Sequence, residues 1–294
     1  MIEPLIILGA LGLLFGVGLF IASRVFFVKI DERVETIETV LPGTNCGACG
    51  LAGCGGLAKA IVHGQADVTG CIAGGDDVAH LIADVMGVVP GTVEKRVAIL
   101  RCNGRNVKDR FEYSGIMTCE AANLVMGGPK ACSYGCIAFG DCVKACPFDA
   151  LHMVNGYPQV DEGMCTSCGR CVEACPKQLF ELVSLRSTVH VQCQSRDMGK
   201  DTRKVCDVGC IACRKCEKIC PFDAIHVENN IAVIDFERCT SCGKCVKECP
   251  TKTIGDYRLA RKEKGLWPVK KKPASTAEEK TEKTEKTEET EKTA

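Results

Sequence analysis

The sequence predicts an α+β chain made of small modules behind a single N-terminal transmembrane helix, and three observations carry that prediction. Cysteines recur at the spacing C-x2-C-x2-C-x3-C-P, at Cys210, Cys213, Cys216 and Cys220 and again at Cys239, Cys242, Cys245 and Cys249. The pattern is duplicated upstream at an offset of 74 residues. Residues 5–22, LIILGALGLLFGVGLFIA, carry no charge. Together these expect an anchor over 1–28, a connector over 29–40, a small cysteine module over 41–100, repeats over 101–180 and 181–256, and a disordered charged tail over 257–294.

The cysteine spacing is the one that binds iron–sulfur clusters in bacterial-type two-cluster ferredoxins. Two-residue gaps let three thiolates reach three corners of one cubane, and the fourth, followed by proline, turns to the neighbouring cluster. One 4Fe-4S cluster is therefore expected on Cys210, Cys213, Cys216 and Cys249, and another on Cys239, Cys242, Cys245 and Cys220. Structural zinc or a disulfide scaffold is the rival for a chain with 24 cysteines in 294 residues. Two complete runs, each closed by proline, favour clusters, and clusters need free thiolates in a reducing, cytosolic compartment.

Taken in order, the first element is the anchor. Residues 5–22, continued by VFF after Ser23 and Arg24, are long enough to cross a bilayer, which takes about 20 apolar residues as helix. A cleaved signal peptide fits less well, because the start carries Glu3 rather than basic residues and the run outlasts an h-region. Arg24, Lys29 and Arg33 follow the run, so positive-inside bias expects a single pass through the membrane with the cysteine modules on the cytoplasmic side. Gly9, Gly12, Gly16 and Gly18 suit close packing against a partner helix, or simply reflect the glycine content of such helices.

Residues 30–40, IDERVETIETV, read as a charged helical connector leading away from the membrane. The module after it, LPGTNCGACGLAGCGG, supplies Cys46, Cys49 and Cys54, with Cys71 in TGCIAGG. Four soft ligands at C-x2-C-x4-C-x16-C suit zinc or Fe–S on spacing alone, and the ferredoxin context favours a 4Fe-4S cluster. Glycines among them permit the positive-φ turns that wrap backbone round a cluster. GLAKAIVHG (56–64) reads as a helix between the third and fourth ligands, and 76–101 as helix, Pro-Gly turn and strand VAIL, just before Cys102. His63 and His80 stand alone in helical segments and suit packing or surface roles better than ligation.

The duplication maps Cys132 to Cys206, Cys136 to Cys210, Cys142 to Cys216, Cys146 to Cys220, and Cys119 to Cys193. It also maps Cys165, Cys168, Cys171 and Cys175 onto Cys239, Cys242, Cys245 and Cys249. In each copy CPFDA leads into a strand (LHMV, IHVE) and a second strand follows (YPQVD, IAVID). Phe139 stands where the second copy has Cys213, so one ligand is missing. Cys132 is the nearest replacement and Cys102 the other candidate. The expected sets are Cys132, Cys136, Cys142 and Cys175, then Cys165, Cys168, Cys171 and Cys146. Five clusters result. Cys102, Cys119, Cys193 and Cys206 remain, either as ligands of a sixth cluster at the junction of the repeats or as buried thiols.

After Arg258 the chain turns basic (RLARKEKGLWPVKKKP) and then becomes KTEKTEKTEETEKTA, without apolar residues to drive burial. The basic stretch could touch anionic lipid, but an ordinary solvated tether is preferred. The net formal charge is +0, so no basic footprint argues for nucleic acid. Neither GxGxxG nor GxxxxGK[ST] occurs, and nothing signals NAD or flavin on this chain.

With the anchor, the CGACGLAGC…C segment and the paired cysteine runs in hand, the chain resembles the RnfB family, the B-subunit of the Rnf complex, over residues 1 to about 256. That complex is the ion-translocating ferredoxin:NAD oxidoreductase of bacterial membranes. Two ferredoxin units with extra cysteines look like the family's longer, anaerobe-type members. The resemblance implies a component of a multi-subunit translocase in which electrons pass between reduced ferredoxin and NAD while Na⁺ or H⁺ crosses the bilayer. The residues themselves support one-electron transfer only. Electron uptake from soluble ferredoxin is expected at the repeats, with relay through the N-terminal cluster to membrane partners. Ion movement belongs to other subunits, because one helix without a buried acid or base forms no ion path. The alternatives are a stand-alone membrane-bound polyferredoxin serving a hydrogenase or dehydrogenase without ion coupling, and a zinc-bound scaffold.

Overall fold

The computed structural model describes residues 3–26 and 31–266. The chain divides into two compact units, Met1–Val93 and Glu94–Ala294. The expected disorder of 267–294 lies outside the described residues.

In the first unit, helix α1 (Glu3–Val25) contains the apolar stretch Ile7–Val25, with mean hydropathy 1.9 and no residue of it buried. Length and composition suit a membrane span. Three helices follow: α2 (Glu32–Val40), α3 (Gly53–Val62) and α4 (Gly75–Met86). Asp31 caps α2 by accepting from the Arg33 N–H at 2.9 Å. Gly87, in the left-handed conformation at φ 68°, ends α4. Residues 29–40 are expected to be a mere connector. Instead α2 buries Val34 and Ile37 against α3 and α4, in a core with Leu41, Leu57, Ile61 and Ile82. Apolar residues at 34, 37 and 41 repeat at helical spacing and give α2 an inward face despite its charge.

The second unit holds two copies of one fold. The first runs β1 (Arg96–Leu100), α5 (Cys119–Leu124), α6 (Asp141–Lys144), β2 (Leu151–Val154), β3 (Tyr157–Val160), α7 (Arg170–Glu173) and β4 (Phe180–Ser184). The second runs β5 (Val189–Val191), α8 (Gly199–Val205), α9 (Lys215–Ile219), β6 (Ile225–Glu228), β7 (Ile231–Ile234), α10 (Lys244–Glu248) and β8 (Ile254–Asp256). In each copy a central hairpin, β2–β3 or β6–β7, pairs in equivalent register: Leu151 faces Val160 as Ile225 faces Ile234. The outer strands also pair antiparallel, β1 with β4 and β5 with β8, so each repeat is closed by its own first and last strands.

Two boundaries move. β1 lies before residue 101 but pairs with β4, so the first repeat begins at Glu94 rather than at 101. The chain also remains folded past 256, through helix α11 (Arg258–Glu263) to Leu266. Arg261 is 1% exposed and donates to Glu162 at 2.7 and 3.1 Å, to the Leu185 carbonyl at 2.7 Å and to the Ser187 carbonyl at 2.6 Å. A guanidinium can be buried when its fork meets a carboxylate and two carbonyls. Leu266 packs against the first repeat's core. Composition predicts a solvated tether here because it registers charge without registering a partner.

Candidate iron–sulfur sites

The short helices that carry the cysteines cannot stand alone. α6 and α7 have four residues each, far below the length at which a helix is stable by itself. Backbone turns fix them instead. In the four runs, Ala138 and Gly140, Ser167 and Gly169, Ala212 and Arg214, and Ser241 and Gly243 all take positive φ. Non-glycine residues rarely adopt that conformation, and its recurrence at the same places bends each chain round a common centre. The loop at Phe139 keeps the same turn although its cysteine is missing.

Three small apolar cavities are each bordered by four cysteines. Cys220, Cys239, Cys242 and Cys245 border one, and Cys210, Cys213, Cys216 and Cys249 another, which are the two sets expected from spacing. Cys119, Cys136, Cys142 and Cys175 border the third, where spacing expects Cys132. The arrangement has a local cause. Thr118 accepts from the Ala121 N–H at 3.2 Å and caps α5, which delivers Cys119 beside Ile137 and Phe139. The Phe139 ring lies 5.8 Å from that of Tyr113, and both pack against Cys119, so the ring at the missing thiol's position helps seat the helix that brings another. Spacing could not reveal this, because Cys119 lies outside the run; the helix-start signal at Thr118 was the available clue.

The remaining cysteines form three further groups. Burial pushes the Cys171 thiol up to about 12, with Cys165, Cys168, Cys142 and Cys146 close enough to add to the effect. Burial also raises Cys71, with Cys54, Cys46 and Cys49 around it. In that module the Asn45 side chain accepts from the Cys54 N–H at 2.7 Å. Gly53 sits at φ 76°, and a Cβ there would stand 2.5 Å from the Asn45 Oδ1, so only glycine fits. Cys102 and Cys206 flank Gly104, where an added Cβ would lie 3.8 and 3.4 Å from their sulfurs. Burial raises Cys132, and the nearest thiols acting on it are Cys102 and Cys206. Cys193 is raised to about 11 by burial and faces Cys210 and Cys102. The four cysteines left over are Cys102, Cys132, Cys193 and Cys206.

Backbone donors aim at these sulfurs. The Ala150 N–H meets Cys146 Sγ and the Ala224 N–H meets Cys220 Sγ, each at 3.4 Å and related by the duplication. Ala98, Leu179 and Ser241 do the same for Cys165, Cys175 and Cys239 at 3.4 Å. Burial pushes the Cys249 thiol up, yet N–H donors from Ile254, Thr253 and Thr251 and the Thr251 hydroxyl outweigh it, and its pKa is lowered. Such donors stabilise negative charge on ligand sulfur and tune a cluster's potential. No cysteine is in a disulfide. Among the described residues no three His, Cys, Asp or Glu side chains close on a single ion, as a tetrahedral zinc site requires. Soft thiolates, a wider apolar cavity and donors aimed at sulfur fit a cubane better than one ion.

Known families match the cysteine-bearing segments. Residues 41–73 match the family described as "Putative Fe-S cluster". Residues 131–179 and 209–253 match one 4Fe-4S dicluster domain family, and 164–225 match another. The chain is 43% identical to the B-subunit of the ion-translocating oxidoreductase complex of Methanosarcina acetivorans, over 82% of this chain and 92% of that one. It is 47% identical to the B-subunit of the Na(+)-translocating ferredoxin:NAD(+) oxidoreductase complex of Acetobacterium woodii, over 80% and 72%. The proton-translocating counterpart from Clostridium ljungdahlii is 45% identical, over 80% and 84%. With Fe–S domains along its length and this coverage of its relatives, the chain belongs to the RnfB family, the B-subunits of the Rnf-type ion-translocating oxidoreductase complexes.

Proposed function

We propose that this chain is the membrane-anchored electron-transfer subunit of a complex that couples electron flow between reduced ferredoxin and NAD to translocation of Na⁺ or H⁺. The observation that carries the reading is the set of three small apolar cavities, each bordered by four cysteines, in a chain similar along most of its length to subunits so named. When bound, the clusters supply one-electron transfer and nothing else. The chain's own residues space them, keep them dry and direct N–H groups at their sulfurs.

Six 4Fe-4S clusters are proposed, each on four cysteines. The N-terminal set is Cys46, Cys49, Cys54 and Cys71. The first repeat takes Cys119, Cys136, Cys142 and Cys175, then Cys146, Cys165, Cys168 and Cys171. The second takes Cys210, Cys213, Cys216 and Cys249, then Cys220, Cys239, Cys242 and Cys245. The sixth, on Cys102, Cys132, Cys193 and Cys206, draws on both repeats. Duplication rationalises it: Cys193 is the counterpart of Cys119, and with Cys213 present it is released from its own repeat's cluster.

The apolar helix and the basic residues after it support a single pass with both cysteine-bearing units on the cytoplasmic side. Soluble ferredoxin is the proposed donor or acceptor, and polytopic partners carry the ion. The test is capture of the chain from membranes in mild detergent with identification of co-purifying subunits. Several polytopic subunits with NAD-linked ferredoxin oxidation are expected. Recovery of soluble hydrogenase or dehydrogenase parts alone would replace this reading with a stand-alone polyferredoxin.

A further inference from the structure

We infer that a soluble carrier exchanges electrons with this chain at the mouth of the second repeat, on the face made by α9 and α10, and that the carrier is an acidic protein. The inference rests on the ferredoxin-linked reading above and adds which repeat is used and what recognises the partner. Of the 24 cysteines, Cys213 and Cys242 are the two that stand exposed. One belongs to each proposed cluster of the second repeat. Their counterparts in the first repeat are Phe139 and Cys168, both half-buried. A one-electron partner needs close approach to a redox centre, and the second repeat holds the two most exposed of the cysteines.

Charge separates the repeats in the same direction. α9 and α10 lie against one another. Lys215 and Lys218 on α9 and Lys244 and Lys247 on α10 are exposed, and none is in an ion pair with a described acid. Glu217 is already engaged by Arg214 at 3.6 Å and His226 at 3.7 Å, leaving Glu248 as the other acid on these helices. In the first repeat Asp141 replaces Lys215 and Glu173 replaces Lys247, and Arg170 pairs with Glu173 at 3.6 Å. Between the lysines the second repeat exposes Ile219 (41%) and Phe222 (45%), where the first has half-buried Ala145 and Phe148. Exposed apolar side chains and exposed cysteine ligands on the same two contacting helices as four exposed lysines suit a transient docking face. Unpaired lysines steer an oppositely charged protein and set its on-rate. A lipid surface would explain the lysines but gives no reason for redox ligands to be exposed among them. In the step itself one electron leaves the reduced carrier, which is oxidised by one, and the chain is reduced by one; no covalent bond or proton moves.

The experiment is stopped-flow reduction of the cluster-loaded full-length chain by a pre-reduced soluble bacterial ferredoxin, as a function of ionic strength. The wild-type second-order rate is expected to fall as salt rises. K215E/K218E/K244E/K247E should lower it at least tenfold at low salt and abolish the salt dependence. K144E/R170E in the first repeat should leave it within about twofold. Iron per chain and the low-temperature EPR spectrum after dithionite reduction check that clusters are retained. If the quadruple variant loses iron, the milder K215Q/K244Q must still slow the reaction severalfold. Equal loss in the first-repeat variant, or no loss in the second-repeat variants, overturns the proposal while leaving the ferredoxin reading intact. A wild-type chain that ferredoxin fails to reduce, though dithionite reduces it, defeats the underlying reading instead.

Discussion

Phe139 is a single substitution whose consequences spread through a repeat. With no thiol at that position, the cavity bordered by Cys136, Cys142 and Cys175 is completed by Cys119 from α5, and Cys132 is left to the junction group. The two cysteines should therefore separate cleanly. Cys119→Ser is expected to remove or convert the cluster within the first repeat, and Cys132→Ser the one at the junction, giving different EPR signals with similar iron loss. The opposite pattern would restore the spacing-based assignment. His190 provides a second test. It is 1% exposed, ringed by Phe236 and Tyr257, and its Nε2–H donates to the Ser187 carbonyl at 2.6 Å. Burial, reinforced by the Arg261 charge, lowers its pKa to about 4. The folded imidazole stays neutral while the unfolded chain takes a proton below about 6.5. Stability from this group is thus complete above pH 6.5 or so and declines as pH falls toward 4, by up to about 3 kcal/mol. Anaerobic urea unfolding followed by circular dichroism should give a lower midpoint at acid pH, and His190→Gln should flatten that dependence. The two cysteine groupings of the second repeat were legible because cubane geometry imposes its spacing on the chain. Cys119 was not, because its approach depends on a helix docking across space.

At the level of elements, α11 carries the least expected contribution. Its Arg261 ties the end of the second repeat to Glu162 of the first and to the carbonyls of the linker at Leu185 and Ser187. Removing one partner of a buried ion pair strands the other charge. Arg261→Met should therefore lower unfolding stability by about 3–5 kcal/mol, and adding Glu162→Leu should recover most of the loss. A single variant that unfolds at the wild-type urea midpoint would show that Glu162 finds water instead. The hairpins β2–β3 and β6–β7 were readable, because alternating apolar residues flank short turns and recur at the repeat offset. The closures of β1 on β4 and β5 on β8 were not, since they join strands about 80 and about 65 residues apart and leave no local trace. Arg261 escaped the sequence reading because a charge declares itself buried only when its partners are known.

For the molecule as a whole, the repeats rest on two-stranded sheets and helices of four to seven residues, which are marginal by themselves. Apolar cores of modest size and ligation of thiolates together must hold them, so metal binding and folding are coupled. The N-terminal unit has its own core around Ile37 and Ile82, with Cys71 buried in it and Cys49 and Cys54 packed against it. An anchor, a self-contained cysteine module and a doubled ferredoxin fold suit a relay in which every cysteine is a ligand. The most direct measurement is the iron, acid-labile sulfide and zinc content per chain after anaerobic purification and reconstitution, with Mössbauer spectroscopy to identify the iron. The account predicts about 24 iron and 24 sulfide, all in cubanes, and no zinc. About 20 iron would remove the junction cluster, and zinc in place of iron and sulfide would contradict the account outright.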